Sequence, residues 1–368
     1  VLARTLVLTL PTVLLAAAAV AQTVDTTTSG NSTAFNPAIS LNALFLGHYL
    51  DGPDPGHADD GHDHAHDHGA PPPEGFSAQE IELRFTSDID AYARADATLA
   101  FHGEHIHFEE AYADLLTLPA GLGLRAGQMF APISRENILH THNLPFVQRS
   151  LGQVTLFGEG WSSPGAQLSW LSSLPFYAEF RAAALDASHT EWFGSDKDGG
   201  IAGVGQILTM FDLSESTTLG LIGGGAIANN SLDDQSTVGS AGIDLRWKPA
   251  RRTIYRGLRL NAEYLWAERN GAEPEADVDV RHPEQLQGLT TLCQFQFARR
   301  WWVSGRYDWL DPDEHETQTR WGASISFVAS EFQALRLEYS SSDDGEELSN
   351  SVFLQYNITI GSHPAHLY

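Results

Sequence analysis

Residues 57–68 read His-Ala-Asp-Asp-Gly-His-Asp-His-Ala-His-Asp-His. Five imidazoles, at His57, His62, His64, His66 and His68, alternate with the carboxylates of Asp59, Asp60, Asp63 and Asp67. Borderline divalent ions such as Zn²⁺ take neutral imidazole nitrogen and carboxylate oxygen together, so this composition reads as a metal-gathering segment. Its Gly and Asp content, and the Pro71-Pro72-Pro73 run after it, favour a loose, weak binder of zinc or another divalent transition metal over a preformed tetrahedral site. The alternative is a solvated acidic loop in which the histidines are incidental. Two more groups extend the pattern. His102, His105 and His107 lie close in sequence, and residues two apart share one face of a strand. His140 and His142 flank Thr141, in a stretch that also carries Arg135, Glu136 and Arg149. A succession of weak sites would hand an ion from the first segment inward to the third.

The rest of the chain narrows what such groups could serve. Its 368 residues carry 47 Asp+Glu against 21 Lys+Arg, a formal charge of −26, which argues against a nucleic-acid partner. The single cysteine, Cys293, excludes an intramolecular disulfide framework and a Cys-rich zinc fold, and its place beside Thr291 and Phe295 suggests an inert buried thiol on an outward face. No G-x-S-x-G, H-E-x-x-H or G-x-x-x-x-G-K-[ST] pattern occurs, so no enzyme is expected and no cofactor is required. Gly223-Gly224-Gly225 lies in a strand pattern with no helix after it, so it reads as close packing or a bend. Residues 1–21 combine Arg4, an apolar stretch and Ala19-Val20-Ala21, the signature of a secretory signal peptide. Residues 22–34 then form an N-terminal periplasmic segment.

The elements that must position these groups are strands. Leu258, Leu260, Ala262, Tyr264 and Trp266 alternate with Arg259, Asn261 and Glu263; Val352, Leu354, Tyr356, Ile358 and Ile360 form the last apolar set. Period two with one apolar face is a strand signal. Sixteen such segments fall between 35 and 361, mostly longer than the five or six residues typical of soluble strands and long enough to cross a bilayer when tilted. Short connections follow most even-numbered segments. Longer acidic ones follow most odd-numbered segments, notably 51–75 and 132–159. The expected fold is all-β, a transmembrane antiparallel barrel of about sixteen strands with short periplasmic turns, long acidic outer loops and the third loop folded into the pore. Trp161, Trp170, Trp247, Trp266, Trp301, Trp309 and Trp321 are expected near strand ends or on outward faces, where one side is apolar and the other wet. Arg84, Arg94, Arg181, Arg246, Arg259, Arg306 and Arg336 share the opposite face with Glu80, Glu82, Asp96, Glu179, Asp244, Glu263, Asp308 and Glu338. Such a face must be wet or paired. Residues 362–368 remain as a C-terminal tail.

Gly127-Gln128-Met129-Phe130-Ala131-Pro132-Ile133-Ser134-Arg135-Glu136-Asn137, followed by Pro145-Phe146-Val147-Gln148-Arg149-Ser150, resembles the phosphate-selective porin O/P type, in which a strand ending in a G-Q-x-x-x-P pattern enters a long third loop. The resemblance implies a bacterial outer-membrane porin of sixteen strands, surrounded by lipid. It also implies a constriction at Arg135, Glu136, His140, His142 and Arg149, and association as a homotrimer. The chain also resembles a proteobacterial group known as zinc-regulated TonB-dependent outer-membrane receptors. Such receptors enclose a plug within 22 strands; nothing here is long enough for a plug, so a TonB partner is not expected. The functional expectation is passive diffusion of small solutes through a pore whose acidic, His-rich mouth gathers divalent metal, with zinc the first candidate. A general or anion-substrate porin with an incidental His loop, a non-transporting metal-binding surface barrel and a lipid-hydrolysing barrel are the competing readings.

Overall fold

The alternation read from the sequence becomes sixteen strands and one closed sheet. The computed structural model describes residues 37–52, 72–103, 105–188, 190, 192–193, 200–230, 234–270, 284–313 and 316–361. The expected signal segment 1–21, the segment 22–34 expected in the periplasm, the His/Asp run 57–68 and the expected tail 362–368 lie outside the described residues. The strands are β1 Ala38–Asp51, β2 Gly75–Asp88, β3 Ala93–His102, β4 His105–Leu115, β5 Leu122–Phe130, β6 Ser162–Leu171, β7 Tyr177–Asp186 and β8 Ile201–Ser214. They continue as β9 Thr217–Asn229, β10 Gln235–Trp247, β11 Gly257–Arg269, β12 Glu284–Ala298, β13 Trp301–Pro312, β14 Gln318–Ser330, β15 Gln333–Asp343 and β16 Leu348–Gly361. Each pairs with its sequence neighbours, and β16 returns to β1 in antiparallel register from Ser40↔Gly361 to Asp51↔Asn350, closing the barrel. Closure leaves no strand edge with unpaired backbone groups.

Burial runs opposite to that of a soluble sheet. On β15, Leu335, Leu337 and Tyr339 are exposed while Glu338 and Ser340 are buried. On β16, Val352, Leu354, Tyr356 and Ile360 are exposed while Gln355, Asn357 and Thr359 are buried. The outside of the cylinder is therefore apolar and its inside polar, the arrangement of a barrel solvated by lipid. Among the described residues no helix is long and apolar enough to cross a membrane. The inward charges are paired: Arg84 with Asp96, Arg181 with Glu179, Arg246 and Arg259 with Asp244.

Several expectations shift. β3 begins at Ala93, not near 89, because the backbone N–H groups of Tyr92 and Ala93 bond the Asp90 side chain and hold 89–92 as a turn. Residues 131–161 contain a 3₁₀ turn at Thr141–Asn143 and a seven-residue helix, α1 (Leu151–Phe157), neither of which the sequence pattern announced. Trp161 is not at an interface: it is fully buried, stacked on Phe157 and packed against Phe193 in the main apolar cluster with Met129, Ile133 and Leu156. Trp170, Trp266, Trp301 and Trp321 are exposed, as their positions suggest. Cys293 is exposed, not buried.

Segment 131–161 leans on the wall where the wall is glycine. A Cβ on Gly224 would stand 1.9 Å from the Ile133 carbonyl oxygen, and one on Gly322 would stand 2.7 Å from the Phe146 ring. The Gly223-Gly224-Gly225 run thus serves close packing. The Ser240 hydroxyl donates to the same Ile133 carbonyl.

Asp308 is completely buried, with Arg306 Nε at 3.2 Å and Arg320 Nη2 at 3.1 Å. Breaking a buried ion pair from one side leaves an uncompensated charge. Asp308→Ala is therefore expected to lower barrel stability by about 3–5 kcal/mol, measured as a shift in the denaturant midpoint of the protein folded in detergent. A midpoint equal to wild type would show that water already solvates both guanidinium groups.

A candidate metal centre on the barrel wall

The long connection between β5 and β6 is gathered at its neck by Asn137. Its Nδ2 donates to the carbonyls of Ala131 and Trp161, while its Oδ1 accepts from the Trp161 N–H and from Gln153 Nε2. Gln153 accepts in turn from Ser134, whose oxygen also takes the Asn137 N–H. Entry and exit of the connection are thereby held together, and every member of this buried network finds a partner.

From that neck the segment reaches the inward side chains of many strands. The Arg135 guanidinium bonds Asp244 of β10 and its N–H bonds Glu263 of β11. The Val147 N–H bonds Glu338 of β15. Arg306 of β13 donates to the Gln148 carbonyl, Arg320 of β14 to the Arg149 carbonyl and Arg336 of β15 to the Leu144 carbonyl. Glu136 accepts from the N–H and hydroxyl of Ser150, and Arg149 donates to the carbonyls of Glu136 and Leu139. Glu136 and Arg149 therefore bind the segment to itself, and Arg135 binds it to the wall. Burial, with Arg259 close by, pushes the Arg135 guanidinium down to about 10 against the pull of Asp244. Burial also lowers Arg149, with Glu136 and Glu109 opposing.

At β2 and β4 the 3₁₀ turn delivers two imidazoles to four carboxylates. His140 contacts Glu109 through Nδ1 at 2.9 Å and Glu110 through Nε2 at 3.1 Å, and its Nδ1 lies 3.2 Å from Glu82 Oε2. His142 Nδ1 is 3.1 Å from the same Glu82 oxygen. The two rings stack with centroids 5.7 Å apart. Glu80, two residues before Glu82 on the same inward face of β2, places Oε2 3.3 Å from His102 Nε2. Glu80, Glu82 and His142 form one set of convergent donor atoms, all from buried residues; Glu82, Glu109 and His140 form a second. Oxygen and imidazole nitrogen in this proportion can coordinate a divalent metal. Burial would lower His140, but Glu82, Glu109 and Glu110 outweigh it and hold the imidazole well above its ordinary value.

Of the histidines in the three sequence groups, His102, His140 and His142 come together at the cluster. The His107 ring packs against both His102 and His105, and neither His105 nor His107 belongs to a convergent donor set among the described residues. The nine loop-1 candidates, His57, His62, His64, His66, His68, Asp59, Asp60, Asp63 and Asp67, fall outside the described residues. Glu80, Glu82, Glu109 and Glu110 were not singled out as ligands. For Glu80 and Glu82 the signal was present in their shared inward face. For Glu109 it was not: the β3–β4 register slips between Thr98 and Leu99, so that Thr98 faces Glu110 and Leu99 faces Phe108, and Glu109 bulges out. A bulge re-aims a side chain, and here it lets two consecutive glutamates meet one imidazole.

No family model matches the chain. An uncharacterized protein of Aquifex aeolicus (strain VF5) is 26% identical over 328 residues, covering 79% of this chain and 70% of its own. Among solved structures, OprB of Pseudomonas putida matches 88% of this chain and 94% of its own at a TM-score of 0.59 and 9% identity. The outer membrane channel DcaP of Acinetobacter baumannii matches 88% and 97% at 0.58 and 14% identity. An anion-selective porin from Comamonas acidovorans matches 88% and 100% at 0.57 and 10% identity. At these identities the likeness carries the fold: a sixteen-stranded antiparallel barrel like those of known outer-membrane porins.

The raised His140 has a consequence for pH dependence. A group whose folded value exceeds its unfolded value of about 6.5 contributes stability that is full below that pH and lost as pH rises through the folded value. Metal-free protein is thus expected to lose stability on the alkaline side, and His140→Asn to flatten that limb of a thermal-midpoint profile. Parallel alkaline limbs in the two proteins would assign the loss to other groups.

Proposed function

We propose that the chain is a passive outer-membrane channel for small solutes. The observation that carries this reading is the inside-out barrel, apolar where lipid would lie and charged where water would pass. In this reading residues 1–21 direct export. The short turns at 215–216, 299–300 and 331–332 face the periplasm, and the longer connections after odd-numbered strands face outward. Segment 131–161 folds into the pore and narrows it, since its bonds run to β10, β11, β13, β14 and β15 and its two histidines to β2 and β4. Beside it a cavity of about 510 Å³ is lined by Glu110, Asp114, Arg125, Gln167, Glu179 and Arg181, a passage with both signs of charge. The surplus of negative charge sits in the connections, Asp343, Asp344, Glu346 and Glu347 among them, and a mouth of one sign concentrates counter-ions. The His/Asp run 57–68 at that mouth gathers divalent metal, zinc in the first instance. Lateral association into a trimer would bury part of the outward apolar face, and the chemistry is transport without covalent catalysis.

A second reading is favoured by the number of bonds that fasten 131–161 to the wall: a barrel whose interior is closed and which binds metal without conducting. Planar-bilayer recording of the purified protein under a salt gradient separates the two. The expected result is cation-selective steps whose amplitude falls on adding zinc, with that zinc response reduced severalfold when His57, His62, His64, His66 and His68 are all replaced by Ala. Steps indifferent to zinc would leave a general porin with an incidental His loop. Silence from folded protein would establish the closed barrel.

A further inference from the structure

We propose that Glu80, Glu82 and His142 hold one resident divalent transition-metal ion, which fastens the 131–161 segment to the barrel wall. The ion is a structural clamp, distinct from any ion gathered at the mouth or passed through the pore.

The donor set joins two parts of the chain, which the Gln79–Val147 hydrogen bond and the His140–Glu82 contact also bring together. Glu80 and Glu82 belong to β2, and His142 to the 3₁₀ turn of the segment. Their donor atoms lie within 4.8 Å of one another. Bonds of about 2.1 Å in a tetrahedral zinc site place neighbouring donors about 3.4 Å apart. The 3.1 Å between His142 Nδ1 and Glu82 Oε2 is within a few tenths of an ångström of that edge. The three residues are 1%, 2% and 6% exposed, so the pocket is closed to bulk water and a permeating ion would not pass through it.

Charge points the same way. Two carboxylates neutralise one dication, and imidazole adds a neutral donor. Both Glu80 oxygens are buried; the Thr141 side chain and His102 Nε2 stand beside the carboxylate, and Glu82 and Glu109 add like charge next to it. A buried carboxylate among like charges is costly unless a cation or a proton meets it. His102 Nε2, 3.3 Å from Glu80 Oε2, is poised to approach as a fourth donor. His140 stands behind Glu82, 3.2 Å from its Oε2 and held by Glu109 and Glu110, in the position of an outer partner that orients a ligating carboxylate. The composition of the set, two carboxylates and at least one imidazole, suits zinc, cobalt or manganese better than calcium, which takes oxygen alone.

The test uses the full chain with His57, His62, His64, His66 and His68 changed to Ala, so that the mouth does not contribute. The protein is stripped with chelator, checked for its folded strand signal by circular dichroism, and titrated with Zn²⁺ by calorimetry. Co²⁺ absorption serves as a second readout. Trypsin cleavage after Arg135 and Arg149, both inside the segment, reports whether the segment is released. One equivalent of zinc is expected, with affinity reduced at least about tenfold in Glu80→Gln and in His142→Ala and with tryptic cleavage slowed by zinc only where Glu80 and His142 are intact. Because Glu80→Gln keeps size and shape, it decides the matter should His142→Ala fail to fold. No zinc uptake by the folded, stripped chain, or equal affinity in Glu80→Gln, overturns the site; uptake without protection from trypsin overturns the clamp. Conductance does not enter these readouts, so a barrel that binds zinc in this way and never conducts would sink the channel reading and leave the clamp standing.

Discussion

Closure of the sheet is the constraint on which everything else rests. Twelve residue pairs, Ser40↔Gly361 through Asp51↔Asn350, join the first strand to the last. Once that seam forms, each strand has one face toward its fellows and one away, and the inward face becomes a shared volume. Asn42 bridges the seam inside, donating to Asn357 and Thr359. Charged side chains are admitted to that volume only with partners, which is why Asp244 serves Arg135, Arg246 and Arg259 at once and Asp308 serves Arg306 and Arg320.

The segment between β5 and β6 is the second half of that arrangement. It supplies backbone groups to guanidinium and carboxylate groups that the wall alone does not satisfy: the Val147 N–H to Glu338, and the carbonyls of Leu144, Gln148 and Arg149 to Arg336, Arg306 and Arg320. Asn137 keeps its two ends together, and Gly224 and Gly322 let it approach. Between these anchor points the 3₁₀ turn carries its histidines to the glutamates of β2 and β4.

The strands were legible because an inside-out sheet keeps a strict period of two, and the last apolar set, Val352 to Ile360, reads directly as the outer face of β16. The three histidines of the cluster were legible as candidates, His102 as a metal ligand and His140 and His142 as residues of the constriction. What was not legible depends on departures from period or on packing. A single bulged residue turned Glu109 beside Glu110, and no sequence pattern marks a register slip. Seven residues of α1 are too few for a helical period to show against the surrounding loop. Trp161 follows a glycine at the start of a strand, as an interfacial tryptophan would, and only the presence of Phe157 and Phe193 over it makes it interior.

The order of the chain sets the order in which these bonds can form. Segment 131–161 precedes β6, yet its partners on β13 to β15 lie far later; Val147 and Glu338 are 191 residues apart, and Leu144 and Arg336 are 192. Contacts of such separation carry a large loop-closure cost and form late. Neighbouring strands can zip locally as hairpins, and the neck at Asn137 can close early, whereas the bonds of Leu144 and Val147 must wait until β15 is in place. Two of its apolar residues, Phe146, which lies against Gly322 and Arg306, and Val147, which packs with Leu46 and Phe353, stay uncovered through that interval. The exposure-prone step in folding this barrel is thus the seating of this part of its interior, and a folding helper that shields these side chains would act there, before β15 is in place.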